Sequence, residues 1–344
     1  MSAVTLIWLQ FGACAALIGT AGYSLSRNGD AIARRTGLSG SWIGLALLAT
    51  VTSLPELATG ITSVTLAHAP NLAVGDAMGS CVVNLAFLVL IDLFFRPQPV
   101  WHRASLGHAL AGAFGVVMLG FTLVSLLLSQ VKPSSTTALV ATTTPLGFSL
   151  ATPLLLALYL VAMRTVFAYE RDHASADTPD NGAAVPELRS AVTRFALAAC
   201  VVAAAGVWLP FVATNLAGAM GWNKSFVGSL FVAMATSLPE LAVTLSALRM
   251  GALDMAIGNL LGSNLFNVAI IAVDDLFYHP GVLLADVSPV HAVTISSAIT
   301  MTGLAMVGLF FKPRGRVLRA VSWVSLGLLA TYLLNTYTLY LYGE

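Results

Sequence analysis

The sequence predicts an all-α membrane protein of ten transmembrane helices, arranged as two inverted five-helix repeats. Three observations carry that fold class. Of 344 residues, 58% are hydrophobic and only 9% charged, at a mean hydropathy of +0.87; a soluble domain carries about 25% charged residues. The apolar residues gather in runs that match the roughly 20 residues a helix needs to cross a hydrocarbon core. One block of sequence occurs twice, in register. A water-soluble enzyme is thereby excluded, and the lipid bilayer is the expected partner. Sixteen Lys+Arg against fifteen Asp+Glu give no charge excess that would draw nucleic acid or another polyanion.

Taken in order, apolar runs between polar punctuation place helices near 4–25, 41–67, 71–95, 105–129, 146–168, 191–215, 222–248, 252–277, 289–311 and 317–341. Runs such as Leu154-Leu155-Leu156-Ala157-Leu158 do not alternate, which excludes a β-barrel. The seventh run, opening after Gly221-Trp222-Asn223-Lys224, is the most broken by small and polar residues. The start of the chain lacks a basic segment and a small-residue cleavage site, so no signal peptide is expected. Cys14, Cys81 and Cys200 are far apart and odd in number, implying neither a disulfide framework nor a zinc site.

Loop charge orients the bundle. Loops after the odd-numbered helices hold Arg27, Arg34, Arg35, Arg96, Arg103, Arg164, Arg171, Arg189, Arg194, Arg249, Lys312, Arg314, Arg316 and Arg319. The remaining loops hold only Lys132 and Lys224. Cytoplasmic loops collect Lys and Arg, so both termini are expected outside the cytoplasm, in a plasma (inner) membrane. The hydrophilic stretch 169–190 reads as a flexible cytoplasmic linker between a first repeat, 1–168, and a second, 191–344.

The repeat itself is explicit. Thr52-Ser53-Leu54-Pro55-Glu56-Leu57-Ala58 returns as Thr236-Ser237-Leu238-Pro239-Glu240-Leu241-Ala242. Gly75-Asp76-Ala77-Met78-Gly79-Ser80-Cys81-Val82-Val83-Asn84 returns as Gly258-Asn259-Leu260-Leu261-Gly262-Ser263-Asn264-Leu265-Phe266-Asn267. Asp92-Leu93-Phe94 returns as Asp275-Leu276-Phe277. The motif regions are 41–95 and 222–280. Five helices per repeat is an odd number, so the second copy enters the membrane with opposite polarity. Inverted repeats with Gly/Pro-broken helices at matching positions are the plan of many secondary transporters, whose sites lie near the midplane.

The repeated residues carry the chemistry. A carboxylate at mid-span costs about 2.5–3.5 kcal/mol on insertion scales, and no Lys or Arg lies within a neighbouring span to offset Glu56 or Glu240. A bound cation is the simplest compensation. Thr52 and Ser53 precede Glu56 by one turn and share its helix face; Thr236 and Ser237 stand likewise to Glu240. Pro55 and Pro239 have no N–H and clash with the carbonyl four residues back, which frees oxygens of Val51 and Ala235. Ser80/Asn84 and Ser263/Asn267 each lie on one helical stripe. Just before them, the Gly75/Gly79 and Gly258/Gly262 pairs permit close helix approach. An all-oxygen donor set suits hard cations: Ca2+ takes 6–8 oxygens, while the lack of nitrogen and thiolate donors disfavours zinc and copper.

Asp76 lies one turn before Ser80 on the same stripe, opposite the neutral Asn259 of the second repeat. Either a cation contact or an entrance or helix-end role is open to it. Asp92, Asp274 and Asp275 stand at helix exits, where solvation is expected. No His falls mid-helix near a Glu, so a His proton relay is not expected. Asn223-Lys224-Ser225 fits a glycosylation sequon by chance in a short loop, and Trp101, Trp222, Trp323 and Tyr337 read as interfacial anchors.

The two blocks resemble the α-repeats of the calcium/cation antiporter superfamily, specifically its sodium/calcium exchanger branch. The resemblance implies Ca2+/Na+ exchange by alternating access, with helices 1 and 6 sliding across the other eight; Gly12, Gly19, Gly22, Gly206 and Gly218 would smooth them. It implies cation ligands Thr52, Ser53, Glu56, Ser80 and Asn84 in the first repeat and Thr236, Ser237, Glu240, Ser263 and Asn267 in the second. Backbone oxygens near Ala49 and Ala233 would complete the set. Ca2+ and Na+ are cargo, and no cofactor is implied. The chain departs from that pattern at Asn267, where many exchangers carry Asp, at Cys81, where Asn is usual, and at Val51, where Gly is common. The proton-coupled branch has a Gly-Asn-x-x-Glu pattern absent at the motif positions, which favours Na+; Ca2+/H+ or another cation/H+ exchange is the alternative, with a cation channel behind it. An intramembrane protease would need HExxH, a Ser–His pair or paired mid-span Asp, none of which is found.

Overall fold

A computed structural model of the chain describes residues 2–36, 48–94, 100–130, 148–173, 187–249, 251, 253–317 and 321–343. The described residues are helical throughout, apart from turns, short irregular stretches and isolated bridge residues such as the pair Val317 and Val321. The long elements are α1 (Ala3–Thr36), α3 (Pro70–Phe94), α4 (Gly107–Gln130), α5 (Ala151–His173), α6 (Leu188–Met220), α8 (Leu253–Phe277), α9 (His291–Phe311) and α10 (Trp323–Tyr342). Between them stand two broken helices. One comprises α2a (Ala49–Thr52) and α2b (Leu54–Thr65); the other comprises α7a (Lys224–Thr236) and α7b (Leu238–Arg249). Among the described residues, eight helices are long and apolar enough to span a membrane, nine if α7a and α7b, bent by 44°, make one span. Residues 41–47 of the second expected helix lie outside the described residues, as do Arg96, Lys132, Arg319 and 174–186 of the linker.

The breaks fall where the prolines demand. Ser53 has φ −90 and ψ 12, and Ser237 has φ −80 and ψ 6, both out of the helical well and in the bridge region. Two residues later Pro55 and Pro239 cannot donate to the preceding turn, so each helix restarts with its proline in the first turn, the position proline tolerates. α7a also contains a π-helical stretch, Val227–Val232, a form often found at functional sites. Gly75 and Gly79 of α3 press against it. A Cβ on Gly79 would lie 2.5 Å from the Ser229 carbonyl oxygen, and one on Gly75 3.1 Å from the Gly228 Cα.

Packing places α3 and α8 at the centre, apolar and buried nearly all round, as a helix without a lipid face must be. α4, α5, α9 and α10 cover one side and expose Val117, Leu160, Phe310 and Leu334. On the other side α1 packs along α6, with Phe11, Cys14 and Ile18 against Leu209, Val212 and Leu216, and exposes Leu6, Leu9 and Leu17. Such a contiguous apolar belt belongs against lipid. α1 runs past its expected end near 25 to Thr36: the Asn28 amide donates to the Ser24 carbonyl at 2.6 Å, and Leu25 is buried with Ala198 of α6.

Several exit residues are not solvated. Asp92 is fully buried; its Oδ1 accepts the Val100 N–H at 3.1 Å, and its Oδ2 accepts the Ser322 N–H and the Ser325 hydroxyl, each at 2.7 Å. Asp275 repeats the arrangement, accepting the Leu283 N–H at 2.8 Å and the Ser149 N–H at 2.9 Å, together with the Thr152 hydroxyl. These carboxylates cap orphan donors at helix starts, which is why they leave water. Asp274 is also fully buried, against Gly60 of α2b, with neither oxygen hydrogen-bonded. Trp101 is no surface anchor: it is fully buried and its indole N–H donates to Ser322 at 2.8 Å. Asn223 caps α7a by accepting the Phe226 N–H at 2.9 Å.

Candidate cation site

The two breaks meet at the centre of the molecule. Each serine at a break donates to the glutamate of the other broken helix: Ser53 to Glu240 Oε1 at 2.9 Å, and Ser237 to Glu56 Oε1 at 3.3 Å. The motif's spacing produces this, because the serine leaves the helix while the glutamate, three residues on, sits in the first turn of the next segment. Both glutamates are buried, Glu56 at 1% and Glu240 at 0% exposure. Each has one oxygen, Oε2, with no hydrogen-bond partner.

Hydroxyls and carbonyls line the same volume. Ser80 of α3 donates to Glu56 Oε1 at 3.5 Å. The Thr52 and Ser263 hydroxyl oxygens lie 3.4 Å apart, and both approach the Ala49 carbonyl, at 3.3 and 3.5 Å. Ala49 O also accepts the Ser53 N–H at 3.2 Å, and Ala233 O accepts the Ser237 N–H at 3.0 Å. Thr236 lies 3.2 Å from Ala233 O and donates to Asp76 Oδ1 at 2.8 Å.

Ten of the twelve sequence-indicated positions thus converge: Ala49, Thr52, Ser53, Glu56, Ser80, Ala233, Thr236, Ser237, Glu240 and Ser263. Asn84 donates through its amide to Asn264 Oδ1 at 3.0 Å and keeps its own buried Oδ1 without a partner, while Asn264 donates to the Cys81 carbonyl at 3.2 Å. Asn267 is fully buried with neither amide atom hydrogen-bonded. Sequence reasoning missed Asn264, although its mismatch with Cys81 between otherwise matching blocks was the available signal. It left Asp76 undecided, and the structure brings that side chain into the polar cluster.

α1 and α6 lean on the two breaks. A Cβ on Gly22 would overlap the Pro239 ring, and one on Gly19 would touch Leu238 at 3.3 Å. A Cβ on Gly206 would lie 2.9 Å from the Ala58 Cβ and 3.2 Å from the Pro55 carbonyl oxygen. Gly12 and Gly218, expected to smooth the same helices, have nothing within 4 Å of a built Cβ and play no part in this contact.

Chemically the cluster is oxygen-only, which selects hard cations. Among the described residues no Lys or Arg pairs with either glutamate. None of the described histidines touches one: His108 bonds Asp254 and His291 bonds Asn71. No three Asp, Glu, His or Cys side chains among the described residues converge on one point, so a bound ion would draw on at most two carboxylates and otherwise on hydroxyls and carbonyls.

Comparison with known proteins identifies the family. The uncharacterized membrane protein MJ0091 of Methanocaldococcus jannaschii is 27% identical over 260 residues, 73% of this chain and 75% of that protein. The inner membrane protein YrbG of Escherichia coli is 27% identical over 243 residues, 70% of each. A solved structure of the sodium-calcium exchanger NCX_Mj, soaked with Na+ and Sr2+, shares the fold with a TM-score of 0.60 at 24% identity, covering 97% of this chain and 99% of that one. The family described as sodium/calcium exchanger protein matches residues 6–168 and 190–340, nearly the whole length, and the chain therefore belongs to that family: it is a multi-pass membrane cation exchanger and not an enzyme.

Proposed function

We propose that the protein exchanges Ca2+ for Na+ across a plasma (inner) membrane by alternating access, with the cations held between Glu56 and Glu240. The observation that carries this is the reciprocal pair Ser53–Glu240 and Ser237–Glu56, which leaves one oxygen of each buried glutamate without a partner. Two buried carboxylates without a cationic side chain are costly, and a divalent ion between them cancels that cost. Two bidentate glutamates with the hydroxyls of Thr52, Ser53, Ser80, Thr236, Ser237 and Ser263 and the carbonyls of Ala49 and Ala233 exceed the 6–8 oxygens Ca2+ needs. The Oδ1 atoms of Asn84 and Asn267, buried and without partners, are available as further oxygen donors.

The reciprocity also supports ten spans in two inverted five-helix repeats, 1–168 and 191–344. Asp92 and Asp275, at equivalent positions, each tie a backbone N–H eight residues on and the start of a distant helix. Gly22 on Pro239 and Gly206 on Pro55 give α1 and α6 equivalent seats, from which they would slide to open the site to either side. The Lys/Arg distribution supports termini outside the cytoplasm and a cytoplasmic linker at 169–190. Membership of the sodium/calcium exchanger family and the likeness to the sodium-calcium exchanger NCX_Mj support Na+ and Ca2+ as the exchanged ions.

Uptake of radiolabelled Ca2+ into proteoliposomes under imposed Na+, K+ or H+ gradients tests the reading. Saturable uptake driven by the Na+ gradient is expected. Uptake driven only by H+ or K+ would replace Na+ as the counter-ion, and non-saturating flux without a counter-ion would indicate a channel.

A further inference from the structure

We infer that Asp76 is a third cation-coordinating carboxylate, which pairs with Glu56 across the Thr236 and Ser80 hydroxyls and holds a monovalent cation beside the Glu56–Glu240 position. This rests on the exchange proposed above and adds a second, adjacent ion position to it.

Asp76 is 1% exposed. Its Oδ1 accepts the Thr236 hydroxyl at 2.8 Å and its Oδ2 has no partner. Thr236 ends α7a at the break, next to Ser237, which donates to Glu56. Ser80 lies one turn along α3 from Asp76 and donates to Glu56 from the other side. Asp76 and Glu56 therefore face a common pair of hydroxyls, each with an unpartnered oxygen. Their charges interact with each other and with Glu240, and that of Asp76 also with the buried Asp274. Among the described residues no Lys or Arg pairs with Asp76.

A purely structural role does not explain a carboxylate here. An asparagine would accept the Thr236 hydroxyl equally well and would be far cheaper to bury. The second repeat has that asparagine: Asn259, at the equivalent position, is fully buried with neither amide atom bonded. The equivalent positions of the two repeats thus differ by one charge. Since three carboxylates do not converge on one point, the extra charge serves a neighbouring ion rather than the same one. Three carboxylates balance three monovalent cations, whereas the glutamates alone balance two. The first case exchanges with Ca2+ at a net charge of one per cycle, the second at none.

The experiment measures gradient-driven uptake of radiolabelled Ca2+ into proteoliposomes under imposed membrane potentials, for the wild-type chain and Asp76→Asn. Asn keeps the acceptor for Thr236 and removes only the charge. The expected result is wild-type flux that changes severalfold with potential, and Asp76→Asn flux that persists but no longer responds. The half-saturating concentration of the driving cation should also rise by about tenfold or more, as removal of one near charge at an effective dielectric near 20 implies. Potential-independent wild-type flux overturns the inference, and needs no variant. Equal potential dependence and equal half-saturation in the two proteins also overturns it while leaving the exchange intact. A wild-type protein with no cation-driven Ca2+ flux overturns the exchange itself, and the inference with it.

Discussion

At the scale of single residues, the site is a balance between the cost of burying charge and the value of a cation's company. Glu56→Gln and Glu240→Gln are nearly isosteric and remove one charge each. Either should lower Ca2+ flux by at least tenfold, about 1.4 kcal/mol, while detergent-purified protein elutes as a single folded species. A well-folded variant with near-normal flux would sink the two-carboxylate site. These residues were legible in the sequence because they repeat at identical spacing, and because a mid-span carboxylate has few bland explanations. Asn84 was less legible. Its amide donates to Asn264, a cross-helix partner that no local pattern announces. The three exit aspartates were misread for a related reason. A carboxylate near a helix end is usually hydrated, and only the fold brings Ser322, Ser325, Ser149 and Thr152 to Asp92 and Asp275.

At the scale of elements, the broken helices and the pair resting on them would set the proposed sliding motion. Gly206→Ala puts a methyl group 2.9 Å from the Ala58 Cβ, an overpacking that typically costs about 1–3 kcal/mol. The expected outcome is slower exchange with unchanged Ca2+ affinity, because the methyl group obstructs α6 and touches no ligand. Flux and equilibrium Ca2+ binding measured on one preparation separate the two, and equal losses in both would place Gly206 at the site instead of the sliding surface. Asp275→Ala strips three donors of their acceptor. Each buried donor left unsatisfied costs about 1–3 kcal/mol, so the thermal unfolding midpoint in detergent should fall clearly. An unchanged midpoint would mean that water replaces the carboxylate. Helix identity and approximate limits were legible from apolar run length alone; the extension of α1 to Thr36 was not, because a polar segment becomes helical only against the α6 surface that buries Leu25.

At the scale of the whole molecule, orientation follows from loop charge. With Ser175 replaced by cysteine and, separately, Glu344 replaced by cysteine, a membrane-impermeant reagent applied outside intact cells should label position 344 and spare 175. The opposite pattern would invert the molecule, and with it the side from which each ion enters. Both positions lie outside the described residues, so the Lys/Arg distribution alone carries the expectation.

Two of the buried aspartates at the ends of α3 and α8, Asp92 and Asp275, have a mechanical consequence. Asp92 fastens α3 to α10 and Asp275 fastens α8 to α5, like two clasps closing one frame. Polar side chains of α1 turn back on their own helix instead, Thr20 to the Ala16 carbonyl and Asn28 to that of Ser24. A buckled frame beside a strip of greased contact is how a slide rule is built: the body holds its dimensions while the slide is free to travel. Thermal energy should therefore loosen the slide long before it distorts the scale, and backbone amides of α1 should exchange with solvent deuterium sooner than those of α3 and α8.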